Sequence, residues 1–347
     1  MIGPTERMHV LKSTLCTVVV ASMAMISSAC STIVMPRADP LLDRIIRASD
    51  RQEVSRHFIY EVMAEAQVVY LGETHDNSRH HQIQLEILEE LLRLGKQPAL
   101  GFETFSLEQT GFLMHYAVGK PSPFTRESSL SEEGILRKNL GWGKERDWDW
   151  QFYFPLLRLA KEHKMAVFGA DLPTGIRLRL SRVGLDGLSA LERSLLHPTA
   201  FKNPAYRNLM YHKFTTSHCG WSSPELLKKL YETWLARNDA MAAAIVEMVK
   251  DQRGQPVVMV LGAGHVQYNM GVYERVAHLL PGVLQVNLGL REIAIEPLTL
   301  NEYVKTTRRD GTIFPPEHEY FWFTPRVSYE DPCKRFKDYL KRKDADE

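Results

Sequence analysis

A dominant charge of one sign is missing from this chain. Its 43 Lys and Arg face 42 Asp and Glu, a formal net charge of +1, so there is no broad positive field to draw in nucleic acid. Cysteine is scarce: Cys16, Cys30, Cys219 and Cys333 are the whole set. No repeat of fixed period, no low-complexity segment and no phosphate-loop motif occurs. Past the first thirty residues no stretch is apolar for the roughly 20 residues that a membrane helix needs.

The first thirty residues differ from the rest. Arg7 and Lys12 form a short basic region, Val10 to Ile26 is nearly uncharged, and Ser27-Ser28-Ala29 precedes Cys30. That order is the pattern of a secretory signal. A small-small-Cys ending points to a lipoprotein signal over residues 1–30, with Cys30 lipidated and kept as the mature N-terminus. Ordinary cleavage near Ala29 and an uncleaved anchor are the alternatives. Residues 31–40 then read as a tether broken by Pro36 and Pro40, and residues 331–347 as a charged tail. The expectation is an exported, membrane-anchored protein of the periplasm or outer membrane. In an oxidising compartment Cys219 and Cys333 could pair, though their spacing in sequence says nothing about geometry.

Between tether and tail, β-branched apolar runs alternate with amphipathic stretches. Residues 67–71, 98–102, 166–169, 256–261 and 284–288 read as buried strands, and Phe321-Trp322-Phe323 as an edge strand. Helical spacing covers 41–64, 80–94, 106–118, 154–164, 239–250 and 272–280. Residues 120–149, rich in Pro, Gly and Ser, read as an inserted loop with short helices, and residues 178–235 as a helical subdomain. Strands alternating with helices predict an α/β fold: a mostly parallel central sheet flanked by helices on both faces. In such sheets ligands bind beyond the carboxyl ends of the strands.

Those ends carry the chemistry. Gly72-Glu73-Thr74-His75 follows the first run, Glu103 the second, Asp171 the third and Gly262-Ala263-Gly264-His265 the fourth. Taken singly, each residue is as well explained by a cap or a turn. A parallel sheet would bring all four ends to one edge, where Glu73, His75, Glu103, His265 and Asp171 would share a cleft. Imidazoles and carboxylates together can hold a divalent metal, so Glu73, His75, Glu103 and His265 are the candidate metal ligands. The same set can do general acid–base catalysis. His80 and His81, at a helix start, read as exposed or capping.

These residues also carry a resemblance. Val69-Tyr70-Leu71-Gly72-Glu73-Thr74-His75-Asp76-Asn77 resembles the opening motif of the ChaN-like haem-binding lipoproteins. Their superfamily also holds the Tiki and TraB proteins and the erythromycin esterases. Gly101-Phe102-Glu103, Trp142, Gly169-Ala170-Asp171-Leu172-Pro173, Arg237-Asn238-Asp239-Ala240-Met241-Ala242 and Gly262-Ala263-Gly264-His265-Val266 follow in the family's order. The similarity runs from about residue 43 to about 325.

The resemblance implies haem and iron uptake, with haem held at a homodimer interface by a tyrosine. By likeness to the Tiki and esterase branches, it alternatively implies hydrolysis of a peptide or ester at Glu73, His75, Glu103 and His265. Asp171, Arg237 and Asp239 are further matches. No motif position picks out the tyrosine. A tyrosinate suits ferric haem iron; Tyr211 beside His212 is the preferred ligand, and Tyr268, three residues past His265, is the other. The implied partners are haem or another small molecule and, through the anchor, a membrane.

Overall fold

The computed structural model describes residues 39–119, 131–143, 146–331 and 333–334. The leader, Cys30, nearly all of the tether, the first part of the 120–149 insertion and most of the charged tail lie outside them.

Among the described residues ten strands occur in chain order: β1 (Ile45–Arg47), β2 (Gln52–Val54), β3 (Val68–Glu73), β4 (Ala99–Ser106), β5 (Val167–Asp171), β6 (Val257–Gly262), β7 (Gln285–Glu292), β8 (Thr307–Arg309), β9 (Thr312–Phe314) and β10 (Tyr320–Thr324). Eight of them form one sheet in the order β2-β1-β10-β7-β3-β6-β4-β5, and β8 and β9 pair as a separate hairpin. From β10 to β5 every pairing is parallel; only β1 is antiparallel to its neighbours β10 and β2. This is the predicted α/β architecture.

Strand pleating divides the core. Val69, Leu71, Leu100, Phe102, Val258 and Val260 face the helices Arg56–Glu65, Ser78–Arg93, Thr110–Val118 and Asp147–Glu162. Val68, Tyr70, Val257, Met259 and Leu261 face the long helix Pro224–Asp251 and the helix Val272–Leu279. Both faces are apolar because both are covered. Helix starts are capped locally. Ser55 Oγ accepts the Phe58 N–H at 3.1 Å, and Asn77 Oδ1 accepts the Arg79 N–H at 3.0 Å.

Three expectations about elements change. Residues 41–64 are not one helix: Asp43 and Arg51 adopt left-handed backbone (φ 60° and 61°), and Ile45–Val54 folds as the β1–β2 hairpin before the helix begins. The Phe321-Trp322-Phe323 run is not at an edge, because β1 covers its outer side and all three rings are fully buried. The helix expected at 154–164 starts at Asp147 and contains Pro155. Burial of Trp150, Tyr153, Leu156, Leu157 and Ala160 along one stripe outweighs the cost of an interior proline, about 3 kcal/mol. Residues 178–235 hold helices and no strand, and the last of these runs unbroken to Asp251.

Cys219 and Cys333 are joined in a disulfide, Cα–Cα 5.6 Å, closing a sequence separation of 114.

Candidate functional site

Parallel pairing of β3, β4, β5 and β6 puts Glu73, Glu103, Asp171 and Gly262 on one edge, but pleating sends their side chains to different sides. Glu73, in phase with Leu71, turns toward the helices Ser78–Arg93 and Asp147–Glu162. Its Oε2 accepts Gln84 Nε2 at 2.5 Å, and its Oε1 accepts the Tyr153 hydroxyl at 3.0 Å. His75 Nδ1 lies 2.8 Å from Oε1 and His81 Nδ1 3.6 Å from Oε2. Burial disfavours the Glu73 carboxylate, but the His75 hydrogen bond and the His81 charge lower its pKa overall. Burial and the neighbouring Glu73 hold the Tyr153 phenol protonated well above its ordinary range, so it is a fixed donor.

Glu103, one residue out of phase with Phe102, turns the other way. Its Oε2 accepts the Gly262 N–H at 2.5 Å; its Oε1 meets Arg237 Nη2 at 2.6 Å and His265 Nε2 at 3.1 Å. Arg237 Nε reaches Asp171 Oδ1 at 2.9 Å, and Arg177 Nε lies 3.4 Å from the other Asp171 oxygen. Against the cost of burial, His265 and Arg237 hold the Glu103 pKa well below the usual carboxylate range.

His265 is held on one ring face and at both nitrogens. Its ring stacks on Trp234 at 3.7 Å and 11°, and Nδ1 lies 2.5 Å from the Asn238 side-chain amide. Burial lowers its pKa against the pull of Glu103, so the ring is neutral at pH 7. A neutral ring donating Nε2–H to Glu103 must accept at Nδ1, which calls for the NH₂ end of Asn238 there. That orientation also supplies the Asn238 nitrogen, buried and without a partner while the oxygen faces the ring, with an acceptor.

His75 joins the halves. A Cβ placed on Gly262 would lie 3.0 Å from His75 Nε2 and 3.3 Å from Glu103 Oε2. A side chain at this position would crowd both groups, so glycine gives them room. The His75 side chain is 53% exposed and is the part of the cluster open to solvent. Partial burial pulls its pKa down, but the Glu73 hydrogen bond and the charges of Glu103 and Glu73 outweigh this and raise it to about 9. The arrangement can present an imidazolium to an anion or donate a proton to a bound group.

The structure thus brings Glu73, His75, Glu103, His265 and Asp171 to one sheet edge. It does not give Glu73, His75, Glu103 and His265 a metal-binding arrangement. Among the described residues no group of three or more His, Cys, Asp or Glu could hold an ion. The carboxylate oxygens already accept from Gln84, Tyr153, Gly262 and Arg237. His80 and His81 are buried rather than exposed. His80 Nδ1 accepts the Thr74 N–H at 2.9 Å, and His81 Nε2 lies 2.9 Å from the His75 carbonyl, which fixes the turn carrying His75.

Gln84 and Tyr153 were missed in the sequence; the available signal was a polar residue on each buried helical stripe. Asp239 is structural: it takes Arg275 Nε and the Thr199 hydroxyl, both at 2.6 Å.

The tyrosines differ in what holds their hydroxyls. Tyr268 donates to Glu317 Oε1 at 3.1 Å, and burial and that carboxylate raise its pKa. The Tyr206 hydroxyl accepts Trp234 Nε1 at 2.8 Å. Tyr211, on the helix Pro204–Ser217, is half-buried edge-on against Tyr231 at 5.5 Å. Its hydroxyl makes no hydrogen bond among the described residues, which fits an oxygen ligand for ferric haem iron better than the engaged Tyr268 does. His212 is exposed beside it.

Fold and edge cluster together define an α/β protein with a charged, largely buried site at the strand ends. The model of the family described as "Haem-binding uptake, Tiki superfamily, ChaN" matches residues 59–276, and the chain belongs to that family. It is similar to ChaN of Campylobacter jejuni, solved with cofacial haem: TM-score 0.58, 17% identity, 80% of this chain and 95% of that one. That likeness shows the fold. A mutant erythromycin esterase EreC in its open conformation matches with TM-score 0.46 and 10% identity over 84% of this chain and 99% of that one. Among curated proteins, Protein RETICULATA-RELATED 5, chloroplastic, of Arabidopsis thaliana is 23% identical over 297 residues, 80% of this chain. The match spans 36% of that relative's length.

Proposed function

We propose that this protein binds haem for iron uptake, with Tyr211 as the iron ligand, and that it works outside the cytoplasm, held to a membrane through Cys30 and pairing with a second copy. Membership of the haem-binding uptake family over residues 59–276 carries this reading. The Tyr211 hydroxyl, without a protein partner among the described residues, supports the choice of ligand. The Cys219–Cys333 disulfide fits an oxidising compartment. Haem supplies the ligand-binding iron when bound; the chain supplies the oxygen donor and aromatic neighbours. The test is a haemin titration followed through the Soret band. Wild type should saturate with a tyrosinate-type ferric spectrum, and Tyr211→Phe should bind at least about tenfold more weakly, roughly 1.4 kcal/mol. Equal affinity would remove the ligand assignment. The mass of the mature N-terminus, and sedimentation with and without haemin, check the anchor and the pairing.

A second reading, acid–base hydrolysis of an ester or peptide, is favoured by one observation: solvent-open His75 is held by Glu73 and set beside Glu103 and Gly262. It predicts turnover that His265→Ala abolishes while the fold persists. Absence of turnover across ester and peptide panels would count against it.

A further inference from the structure

The opposite edge of the sheet carries a cavity of about 860 Å³. It is bounded by the turn after β1, the first residues of β7, the segment 304–306 and the approach to β10. This lies at the amino ends of the parallel strands, away from the Glu73 and Glu103 cluster at their carboxyl ends.

The acids of this cavity are already engaged. Glu319 Oε1 accepts Asn269 Nδ2 at 3.0 Å and the Tyr273 hydroxyl at 3.1 Å, and its Oε2 accepts the Asn287 N–H at 2.9 Å. Asp50 is clamped by Arg47 through contacts of 3.0 and 2.6 Å. Two lining cations are left over. Arg51 and Lys305 make no side-chain hydrogen bond and no ion pair within 4 Å among the described residues. The nearby Glu302 turns its carboxylate back onto Thr299 at 2.7 and 2.8 Å. The rest of the wall includes Val62, Val286, Val304, Pro315 and Pro316, and the prolines offer no N–H. A volume of about 860 Å³ is within the range of small-molecule sites, and this one sets an apolar patch beside polar residues and two cations without protein partners among the described residues.

We propose that this cavity binds an amphipathic organic carboxylate, its apolar body against Val286, Val304, Pro315 and Pro316 and its carboxylate on Arg51 and Lys305. The proposal goes beyond haem binding at Tyr211 and shares no residue with it.

The probe is cis-parinaric acid, a fluorescent fatty acid, titrated into the purified chain. We expect saturable one-to-one binding that Arg51→Glu with Lys305→Glu weakens by about tenfold or more, while Arg51→Lys with Lys305→Arg retains it. The methyl ester should bind far more weakly than the acid. Displacement by oleate alone supports a lipid source. Displacement by haemin in the Tyr211→Phe variant supports a porphyrin carboxylate. No saturable binding, a charge-reversed variant within twofold of wild type, or a methyl ester as tight as the acid would each overturn it. The charge-reversed variant should keep its haemin titration, which separates failure here from failure of the haem reading. If it does not fold, single Lys305→Glu at an exposed residue carries the same comparison.

Discussion

Arg237 ties together two buried carboxylates, so its loss should be costly. It donates at 2.6 Å to Glu103 and at 2.9 Å to Asp171, two carboxylates only 7% and 8% exposed. Arg237→Met keeps the apolar stem and removes the charge. Glu103 would retain the Gly262 N–H and a neutral His265; Asp171 would retain Arg177 at 3.4 Å. Stripping one partner from a buried ion pair costs about 3–5 kcal/mol, because the remaining charge stays buried and unpaired. For a unit of roughly 300 residues, at about 2.1 cal/mol/K each, a loss of about 4 kcal/mol lowers Tm by about 6 °C.

The sign of the pH dependence is specific. In wild type the Glu103 pKa is held down, so its stabilising contribution is present above the unfolded carboxylate range and is lost as pH falls through the folded value. In Arg237→Met Glu103 loses that support and burial raises its pKa, so acid relieves the variant by neutralising it. The wild-type minus variant difference from urea unfolding should therefore be largest at pH 7.5 and smaller at pH 5. The double variant Arg237→Met with Glu103→Gln should be less damaged than the sum of the two single losses. A deficit below about 1 kcal/mol, or one unchanged between pH 5 and 7.5, would refute the claim that this ion pair is buried and interdependent.

The His75 pKa is raised to about 9. Its pairing with Glu73 should therefore contribute fully below pH 6.5 and vanish as pH rises through about 9. Because the ring is half exposed, the contribution should be at most about 1 kcal/mol, read as the stability difference between wild type and His75→Gln from pH 6 to 10; a flat difference would contradict it. Gly262→Ala would set a methyl 3.0 Å from His75 Nε2. It should push the ring away from Glu103 and lower the His75 titration midpoint measured by NMR, and an unmoved midpoint would mean that the two groups are not in contact.

The parallel core of the fold was legible because its strands are continuous apolar runs between helical periods, the signature of strands buried on both faces. The parts that were not legible depend on contacts made far along the chain. Phe321-Trp322-Phe323 looks like an edge when read alone. It lies inside the sheet because Ile45-Ile46-Arg47, nearly 280 residues earlier, pairs with it in register. Helical spacing read alone begins at Phe154, next to Pro155, but burial of Trp150 and Tyr153 carries the helix back to Asp147.

The site shows a sharper division. Strand ends and glycine-flanked histidines sufficed to bring Glu73, Glu103, Asp171 and His265 to one edge, since parallel topology alone places them. Their chemistry depends on pleat parity, and a one-residue change of phase sends a side chain to the opposite face. Glu73 is in phase with Leu71 and meets Gln84 and Tyr153. Glu103 follows Phe102 by one residue and meets Arg237 and Gly262. Four residues that look like one ligand set therefore belong to two separately satisfied networks. Each carboxylate is taken up by partners on its own side of the sheet, leaving no open ligand geometry for a metal. The networks touch only where Gly262 allows it, so His75, the one member open to solvent, feels Glu73 through a hydrogen bond and Glu103 through charge. An anion or a proton acceptor approaching this edge meets His75 first, and what His75 offers is set by two carboxylates on opposite faces of the sheet.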